Sequence, residues 1–220
     1  MLLTPPMTMM DFFRKSEGVW FTQRTVHNFD TAAADESGES NVMIDVLSID
    51  DPRVLEVCQQ QNVDPALVSG GCSFMWQDNL DDAIPNQNYA AILIDVPNPN
   101  NPKMGKFLRN RGYVEGIPVI GIYHFADDGV LTIETEYETN QGQERCWFIN
   151  DHFRVRVMTV QMSNGVKQMA YCSERRCISP LGGQDAHPTI KLIGCGTGIL
   201  PVRCPPHKPL GGQDAHPTSN

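Results

Sequence analysis

Basic residues are scarce in this sequence, and it has no long apolar run. Lys and Arg number 17 against 26 Asp and Glu, so the formal net charge at neutral pH is −9. A surface of that sign repels phosphate, which argues against a nucleic-acid partner. No stretch approaches the roughly 18 uncharged apolar residues of a membrane-spanning helix, so no membrane insertion is expected.

Signatures of secretion, metal binding and nucleophilic catalysis are missing as well. Residues 1–10 contain neither the basic nor the apolar segment of a secretory signal. The seven cysteines, an odd number at irregular spacing, predict reduced thiols in a cytoplasmic protein rather than a disulfide framework. The histidines and cysteines fit no zinc-ligand spacing, so no metal site is predicted.

A repeat marks the C-terminal end of the chain. Residues 181–189 recur letter for letter as 210–218, and two copies without hydrophobic periodicity cannot bury a core. We therefore expect 177–220 to be a disordered extension. Residues 1–9, apolar but aperiodic, are expected to form a second one, which leaves 10–176 as the working domain.

Two short helices are predicted within that domain. One covers 11–18, with Asp11 as its N-cap and Gly18 as its terminator. The other follows the first long strand and begins after Asp51, where Pro52 suits the first helical position. Its apolar face is predicted to contain Val54, Leu55 and Cys58.

The remaining segments read as strands separated by tight turns. With 18 Gly and 16 Pro, the composition favours many short strands over long helices. The candidate strands are 39–48, 72–78, 89–96, 118–125, 130–139, 143–149, 153–161 and 167–175. From 118 onward they form an antiparallel meander, which must close up or stack to protect its edges. The pattern alone allows a barrel or a sandwich.

The strand predicted over 153–161 has no plainly polar face. Because side chains alternate along a strand, Arg154 and Arg156 share one face with Met158 and Val160. Two arginines followed by apolar residues suit the mouth of a cavity with an apolar floor, where guanidinium would bind an anionic ligand. A pair of surface arginines at a strand end fits the same pattern equally well.

Two glutamates lie beside cysteines on mixed faces. Glu144 shares its face with Cys146, and Glu174 shares its face with Cys172. Buried near a ligand, such a carboxyl would have a raised pKa and would be able to donate a proton. Exposed, it would be an ordinary acid, and the pattern leaves both interpretations open. The three tryptophans are interpreted as core residues, and neither cysteine is assigned a covalent role.

Several segments together resemble the CpcS/CpeS family of phycobiliprotein chromophore lyases. They occur in the family's order and cover about 10–176. The segments are 10–25, 36–41, 62–67, 112–119, 135–139, 144–148, 154–156 and 172–175. The resemblance implies an all-β fold, a lipocalin-like (calycin) antiparallel barrel, and so favours the barrel over the sandwich.

The resemblance also implies the ligand and the partners. The substrate would be a phycobilin, either phycocyanobilin or phycoerythrobilin, with no permanently bound cofactor. The acceptors would be cysteines of apo-phycobiliproteins, namely allophycocyanin and the β subunits of phycocyanin or phycoerythrocyanin, in a cyanobacterial cytoplasm. Related lyases sometimes work in pairs, so association with another copy or with a related lyase belongs to the same expectation.

Roles for particular residues follow from the resemblance alone. Arg154 and Arg156 would hold the propionates of the bilin or line the entrance. Glu144 and Glu174 would contact its pyrrole nitrogens and help protonate it. Arg24 and Trp76 would line the same cavity.

Two other functions compete with the lyase. A non-catalytic carrier of the same fold would bind a bilin or porphyrin without transferring it. An assembly or scaffold protein would bind no small ligand at all.

Overall fold

The computed structural model describes residues 8–29, 33–77, 90–112, 116–162 and 165–177. These residues form two α-helices, a 3-10 turn and ten strands. The elements are α1 (Met9–Ser16), β1 (Gly18–Asn28), β2 (Glu36–Leu47), α2 (Pro52–Gln60), the 3-10 turn (Pro65–Leu67), β3 (Gly70–Trp76), β4 (Ala90–Asn98), β5 (Asn101–Arg109), β6 (Val119–Phe125), β7 (Leu131–Glu136), β8 (Asn140–Asn150), β9 (Phe153–Met162) and β10 (Gly165–Arg176).

The ten strands close into one antiparallel barrel. Each strand pairs with the next along the chain, and β1 also pairs with β10, with Thr22 opposite Glu174. Closure pairs both edges of the sheet, as the edge-strand argument requires. The predicted antiparallel barrel is therefore confirmed, and the sandwich is excluded.

Two strands, β1 and β5, lie where the pattern predicts none. On β1, Thr22 and Arg24 occupy the inner face and interrupt its apolar alternation. β5 begins with Asn-Pro and contains Gly105, residues that disfavour strands. The barrel nevertheless needs that glycine, because a Cβ atom there would lie 2.6 Å from the Val96 carbonyl oxygen and 2.7 Å from the Tyr123 hydroxyl.

Helix α1 closes one end of the barrel. Its N-cap is Thr8, whose hydroxyl oxygen accepts a hydrogen bond from the Asp11 backbone N–H at 3.1 Å. The Asp11 carboxylate accepts in turn from the Thr8 hydroxyl at 2.8 Å, a reciprocal cap. The prediction that Asp11 is the N-cap is wrong, and Gly18 already belongs to β1. Four apolar side chains of the helix pack into the barrel core: Met9, Met10, Phe12 and Phe13.

The folded unit extends slightly beyond the predicted boundaries. Met9 is fully buried in α1, and the Cys177 backbone N–H donates to the Val19 carbonyl oxygen at 2.8 Å. Thr8, Met9 and Cys177 are therefore part of the folded unit rather than of the predicted extensions. The rest of both extensions, including the repeat, lies outside the described residues.

Helix α2 covers the outside of the barrel. Asp51 caps it as predicted, because its carboxylate accepts a backbone N–H of the first turn. Val54 and Cys58 are buried as predicted. Leu55, in contrast, is 42% exposed, and Val57 takes its place in the buried face. The helix packs on Ile94 and Leu108 of β4 and β5. Within the described ranges, no helix is long and apolar enough to cross a membrane.

Candidate functional site

Strand β9 presents its two arginines to the barrel interior. Arg154 is 3% exposed and Arg156 15%, and Met158 and Val160 continue the same buried face. The predicted sharing of one face is confirmed. The interpretation as a pair of surface arginines is excluded by this burial.

Glu174 lies between these two arginines and has no solvent exposure. β10 pairs with β9 so that Glu174 is directly opposite Arg154. The Arg154 Nε donates to Glu174 Oε2 at 2.5 Å, and the Arg156 Nη2 donates to Oε1 at 3.0 Å. The Thr22 hydroxyl adds a longer hydrogen bond of 3.5 Å to Oε1. Neighbouring strands thus hold one buried carboxylate between two guanidiniums.

Those guanidiniums reverse the expected direction of the Glu174 pKa. Burial raises the pKa of this carboxyl, but the positive charges of Arg154 and Arg156 outweigh that effect, and the net shift is downward. The prediction of a raised pKa is therefore wrong for Glu174. Its carboxylate is ionised at neutral pH and acts as a hydrogen-bond acceptor in this arrangement.

Glu144 is the more accessible of the two acids. It projects from β8 with 18% exposure, and one oxygen accepts a hydrogen bond from Arg156 Nη1 at 3.3 Å. Arg156 therefore bridges the two glutamates. The structure brings together four of the predicted site residues in this network: Glu144, Glu174, Arg154 and Arg156.

A tryptophan between two arginines supports the network from the closed end of the barrel. The Arg154 guanidinium carbon lies 4.6 Å from the centroid of the Trp20 ring, and that of Arg176 lies 4.3 Å from the same ring. The Trp20 Nε1 donates to the Ser16 carbonyl oxygen at 2.7 Å. Arg176 also donates to the carbonyl oxygen of Lys15 at 2.6 Å. These contacts attach the network to the last turn of α1.

An apolar cavity opens beside the charged network. The space within it is about 510 Å³, a figure that includes the volume open to solvent at its mouth. Trp76 lines it and stacks on Phe74, with the ring centroids 6.0 Å apart and the planes at 18°. Its lining is Phe12, Phe13, Val42, Phe74, Trp76, Leu93, Arg109, Leu131, Ile133, Glu144, Cys146, Arg154, Arg156 and Glu174.

A second cavity lies next to the first, with a space of about 280 Å³ that again includes volume open to solvent. The two share Arg109, Ile133 and Glu144 as lining residues. Arg24 projects from the same face of β1 as Thr22, opposite Cys172 in the β1–β10 register. It is not among the lining residues of these two cavities, but it lies opposite Cys172, whose sulfur accepts a hydrogen bond of 3.8 Å from Arg156 Nη2.

Sequence reasoning misses one charged residue of the lining. Arg109 ends β5, the strand whose proline and glycine hide it from pattern analysis. The alternation of Phe107 and Arg109 with Lys106 and Leu108 is the signal that points to an inner face there. Phe12 and Phe13 of α1 also line the cavity, and neither is among the predicted site residues.

Burial favours the protonated form of the interior thiols. Burial raises the pKa of Cys146 to about 12, and burial likewise raises the pKa of Cys72 and of Cys172. The thiolate is the nucleophilic form of cysteine, and at neutral pH these groups are protonated. A covalent role for them is therefore disfavoured.

Comparison with known proteins gives consistent results. The family described as CpeS-like protein matches residues 8–177. Chromophore lyase CpcS/CpeS 4 of Trichodesmium erythraeum is 67% identical over 179 residues, which cover 81% of this chain and 92% of that protein. Phycocyanobilin lyase subunit CpcS of a Picosynechococcus species is 38% identical over 168 residues, with coverages of 76% and 84%.

A solved structure shares the fold. The S-type phycobiliprotein lyase CPES from Guillardia theta matches with a TM-score of 0.63 at 25% identity. The match covers 79% of this chain and 94% of that one. The expected lipocalin-like barrel is confirmed by this likeness.

Proposed function

This chain belongs to the CpeS-like family, and on that premise we propose how it works as a phycobiliprotein chromophore lyase. Such a lyase joins a bilin, an open-chain tetrapyrrole, to a cysteine of an apo-phycobiliprotein through a thioether bond. The observation that carries the mechanism is the buried Glu174–Arg156–Glu144 network on the wall of an aromatic cavity.

The cavity suits the chemistry of a bilin. A bilin is a flexible conjugated strip with a pair of propionates and a row of pyrrole nitrogens. Phe74 and Trp76 offer flat apolar surface for the strip. Arg156 supplies a guanidinium for a propionate, and Glu144 supplies an oxygen for a pyrrole N–H. Phycocyanobilin and phycoerythrobilin both fit this description.

Glu144 is assigned the catalytic role and Glu174 a positioning role. The acceptor thiolate adds to the ethylidene carbon of the bilin, forming a C–S bond while an electron pair moves into the conjugated system. That system then takes up one proton, which balances the one that the acceptor thiol lost. Glu144, at the cavity, is the group placed to deliver this proton. Glu174, held by two arginines, fixes the orientation of Arg156 instead.

The attacking thiol belongs to the acceptor. The lyase's own buried thiols are protonated at neutral pH, so transfer through a lyase thioether is not part of the mechanism. We assign as acceptors the β subunits of phycocyanin or phycoerythrocyanin, and allophycocyanin, in a cyanobacterial cytoplasm. The active form is a single copy or a pair with itself or a related lyase.

Co-expression tests the function directly. The lyase is produced with bilin-synthesis enzymes and a panel of apo-phycobiliprotein subunits, and covalent bilin is detected by zinc fluorescence on denaturing gels. A fluorescent acceptor band that depends on the lyase is expected. Tight bilin binding with no transfer to any subunit would support the carrier function instead. Absence of any absorbance change on mixing with phycocyanobilin would leave only the scaffold function.

A further inference from the structure

The outer face of β6 leaves two large apolar side chains in contact with water. Ile120 is 45% exposed and Ile122 51%, and both lie on one face because side chains alternate along a strand. Met104 of β5, 40% exposed, lies diagonally beside Ile122, since its register partner is His124. These three side chains form the β6 patch. Exposed apolar side chains that are grouped in this way mark interaction surfaces.

The β6 patch continues an apolar surface that helix α2 covers on the neighbouring strands. Leu108 of β5 is buried under α2 together with Ile94 of β4. Ile120 is the register partner of Leu108 on β6, and it is nevertheless exposed. The cover that α2 provides therefore ends before β6, although the apolar row does not.

Charges of opposite sign flank the patch at the level of Ile122. Lys106 of β5 is its register partner on one side, and Glu134 of β7 is its partner on the other. Lys106 is exposed and Glu134 is partly exposed. One oxygen of Glu134 accepts a hydrogen bond of 3.2 Å from Gln143 Nε2, and a carboxylate has lone pairs for further donors. Because neighbouring strands are about 4.8 Å apart, the backbones of the basic and the acidic residue are about 10 Å apart.

This arrangement of charges is complementary to itself. Most homo-oligomers bring the same patch of two subunits together about a twofold axis. If that axis runs along β6 between two copies packed face to face, β5 of one copy lies over β7 of the other. Lys106 then faces Glu134 of the partner subunit at two symmetric places. If the axis instead crosses the strands, β5 lies over β5 and Lys106 faces a like charge, which is unfavourable.

We propose that the β6 patch is the interface between two copies of this chain, with Lys106 paired to Glu134 of the partner subunit across a twofold axis along β6. The inference goes beyond the proposed function, because it names a partner and a surface without reference to the bilin. Sheets packed face to face lie about 10 Å apart with their strands within about 30° of each other. Long lysine and glutamate side chains span the wider gap on either side of a convex contact. Leu131 and Ile133 of β7 face inward and line the cavity, so each copy keeps its own cavity.

Sedimentation velocity of the full chain, without bilin or acceptor, tests the inference. Wild type is expected to dimerise between about 1 and 100 µM. Lys106→Glu and Glu134→Lys each bring like charges face to face at both symmetric places, so each should weaken dimerisation about tenfold or more. The double variant Lys106→Glu/Glu134→Lys restores opposite charges and should dimerise as wild type does.

Mixing the two single variants gives a second readout. Every charged contact of the mixed dimer pairs an acidic with a basic side chain, so an equimolar mixture should dimerise at a concentration where neither variant does so alone. A packing of β5 over β5 would leave each single variant as associated as wild type, because one like-charge pair only replaces another. Full dimerisation of both single variants would therefore overturn the proposed axis.

Two control variants lie away from the β6 patch. Lys167→Glu makes the same change of charge at an exposed position of β10, four strands from β6. Ile122→Thr keeps the branched shape but removes apolar contact at the axis, and it should weaken dimerisation. Ile149→Thr makes that substitution at an exposed position of β8. Both controls, Lys167→Glu and Ile149→Thr, should dimerise as wild type does.

The outcomes separate this inference from the lyase function. A wild-type chain that stays monomeric over the whole concentration range overturns the inference. A dimer that neither Lys106→Glu nor Ile122→Thr weakens also overturns it, because the interface then lies elsewhere. Neither result depends on bilin transfer, which the co-expression assay measures separately.

Discussion

A carboxylate without solvent exposure persists in this barrel because two guanidiniums neutralise it. Glu174 depends on Arg154 and Arg156, and Arg156 also holds Glu144. In a buried network of this kind, the loss of one member leaves charges that water cannot reach. The stability of the barrel and the geometry of the site therefore depend on the same four side chains.

Glu174→Gln is expected to destabilise the protein by about 3–5 kcal/mol, the usual cost of removing one partner from a buried ion pair. Glutamine keeps the shape of the side chain but leaves Arg154 with no anion at 2.5 Å. Urea unfolding at neutral pH measures the change. Glu136→Gln, at an exposed position of β7, should stay within about 0.5 kcal/mol of wild type. A loss below about 1 kcal/mol for Glu174→Gln would contradict the ion-pair account.

The difference in unfolding free energy between wild type and Glu174→Gln is expected to depend on pH. Because the arginines lower the pKa of Glu174 below its ordinary value of 4.5, its stabilisation is fully present above that value. It is lost as the pH falls through the lower, folded-state pKa. The difference in unfolding free energy between wild type and Glu174→Gln should thus stay constant from pH 7 to about 5 and shrink below that. A difference that begins to fall above pH 5 would indicate a raised pKa.

Glu144→Gln separates catalysis from binding. If Glu144 delivers the proton, bilin binding should change little while the rate of transfer to the acceptor falls about 10²–10⁴-fold. Single-turnover transfer, followed by zinc fluorescence, and equilibrium absorbance titration measure the two quantities. Glu136→Gln again serves as the control. Unchanged transfer by Glu144→Gln would contradict the proton-delivery role.

At the scale of single elements, the close approach of β5 to its neighbours decides whether the barrel can close. Gly105 lies under the Tyr123 side chain and against the β4 backbone. Tyr123 in turn donates a hydrogen bond of 2.7 Å to the buried Asp95. The residues of β5 have low strand propensity, but pairing with β4 and β6 holds β5 in the barrel.

Gly105→Ala is expected to destabilise the protein by about 1–3 kcal/mol through overpacking, because the added methyl group would lie 2.6 Å from a carbonyl oxygen. Gly142→Ala on β8 is the matched control, since its nearest neighbour would be 3.7 Å away. Thermal unfolding of the two variants measures the contrast. Equal melting temperatures would contradict the close-approach argument.

At the scale of the whole molecule, barrel closure brings the two ends of the domain together. The Thr22 hydroxyl on β1 reaches Glu174 on β10, although 152 residues separate them along the chain. Arg176, at the end of β10, donates a hydrogen bond to a carbonyl oxygen of α1. The last described strand therefore completes both the sheet and the charged network.

Removal of 178–220 tests whether the extension belongs to the working protein. A chain ending at Cys177 retains every contact of β10 described above, so it is expected to melt at the same temperature as the full chain and to transfer bilin at the same rate. Circular dichroism and the gel assay check the two properties. Loss of folding or of transfer would show that the extension contributes.

Local patterns in the sequence account for much of the fold. Alternation of side chains puts Arg154 and Arg156 on one face of their strand and sets Glu144 and Glu174 beside cysteines on theirs, and turn residues separate most of the strands. Where the local signal is weak, as in β1 and β5, the pattern fails, and Arg109 is missed together with its strand. The N-cap of α1 is missed because the true cap, Thr8, precedes the segment taken as the domain.

The sequence by itself indicated an antiparallel β protein and which charged side chains share a face, because these depend on the period of side chains along each strand. The resemblance of several segments to the CpcS/CpeS family indicated the barrel. Only the tertiary structure decided the direction of the Glu174 pKa and which side chains line the cavity. It also decided which wall Arg109 occupies. Those properties depend on which strands become neighbours when the barrel closes, and a carboxyl's pKa follows from the charges placed beside it in space.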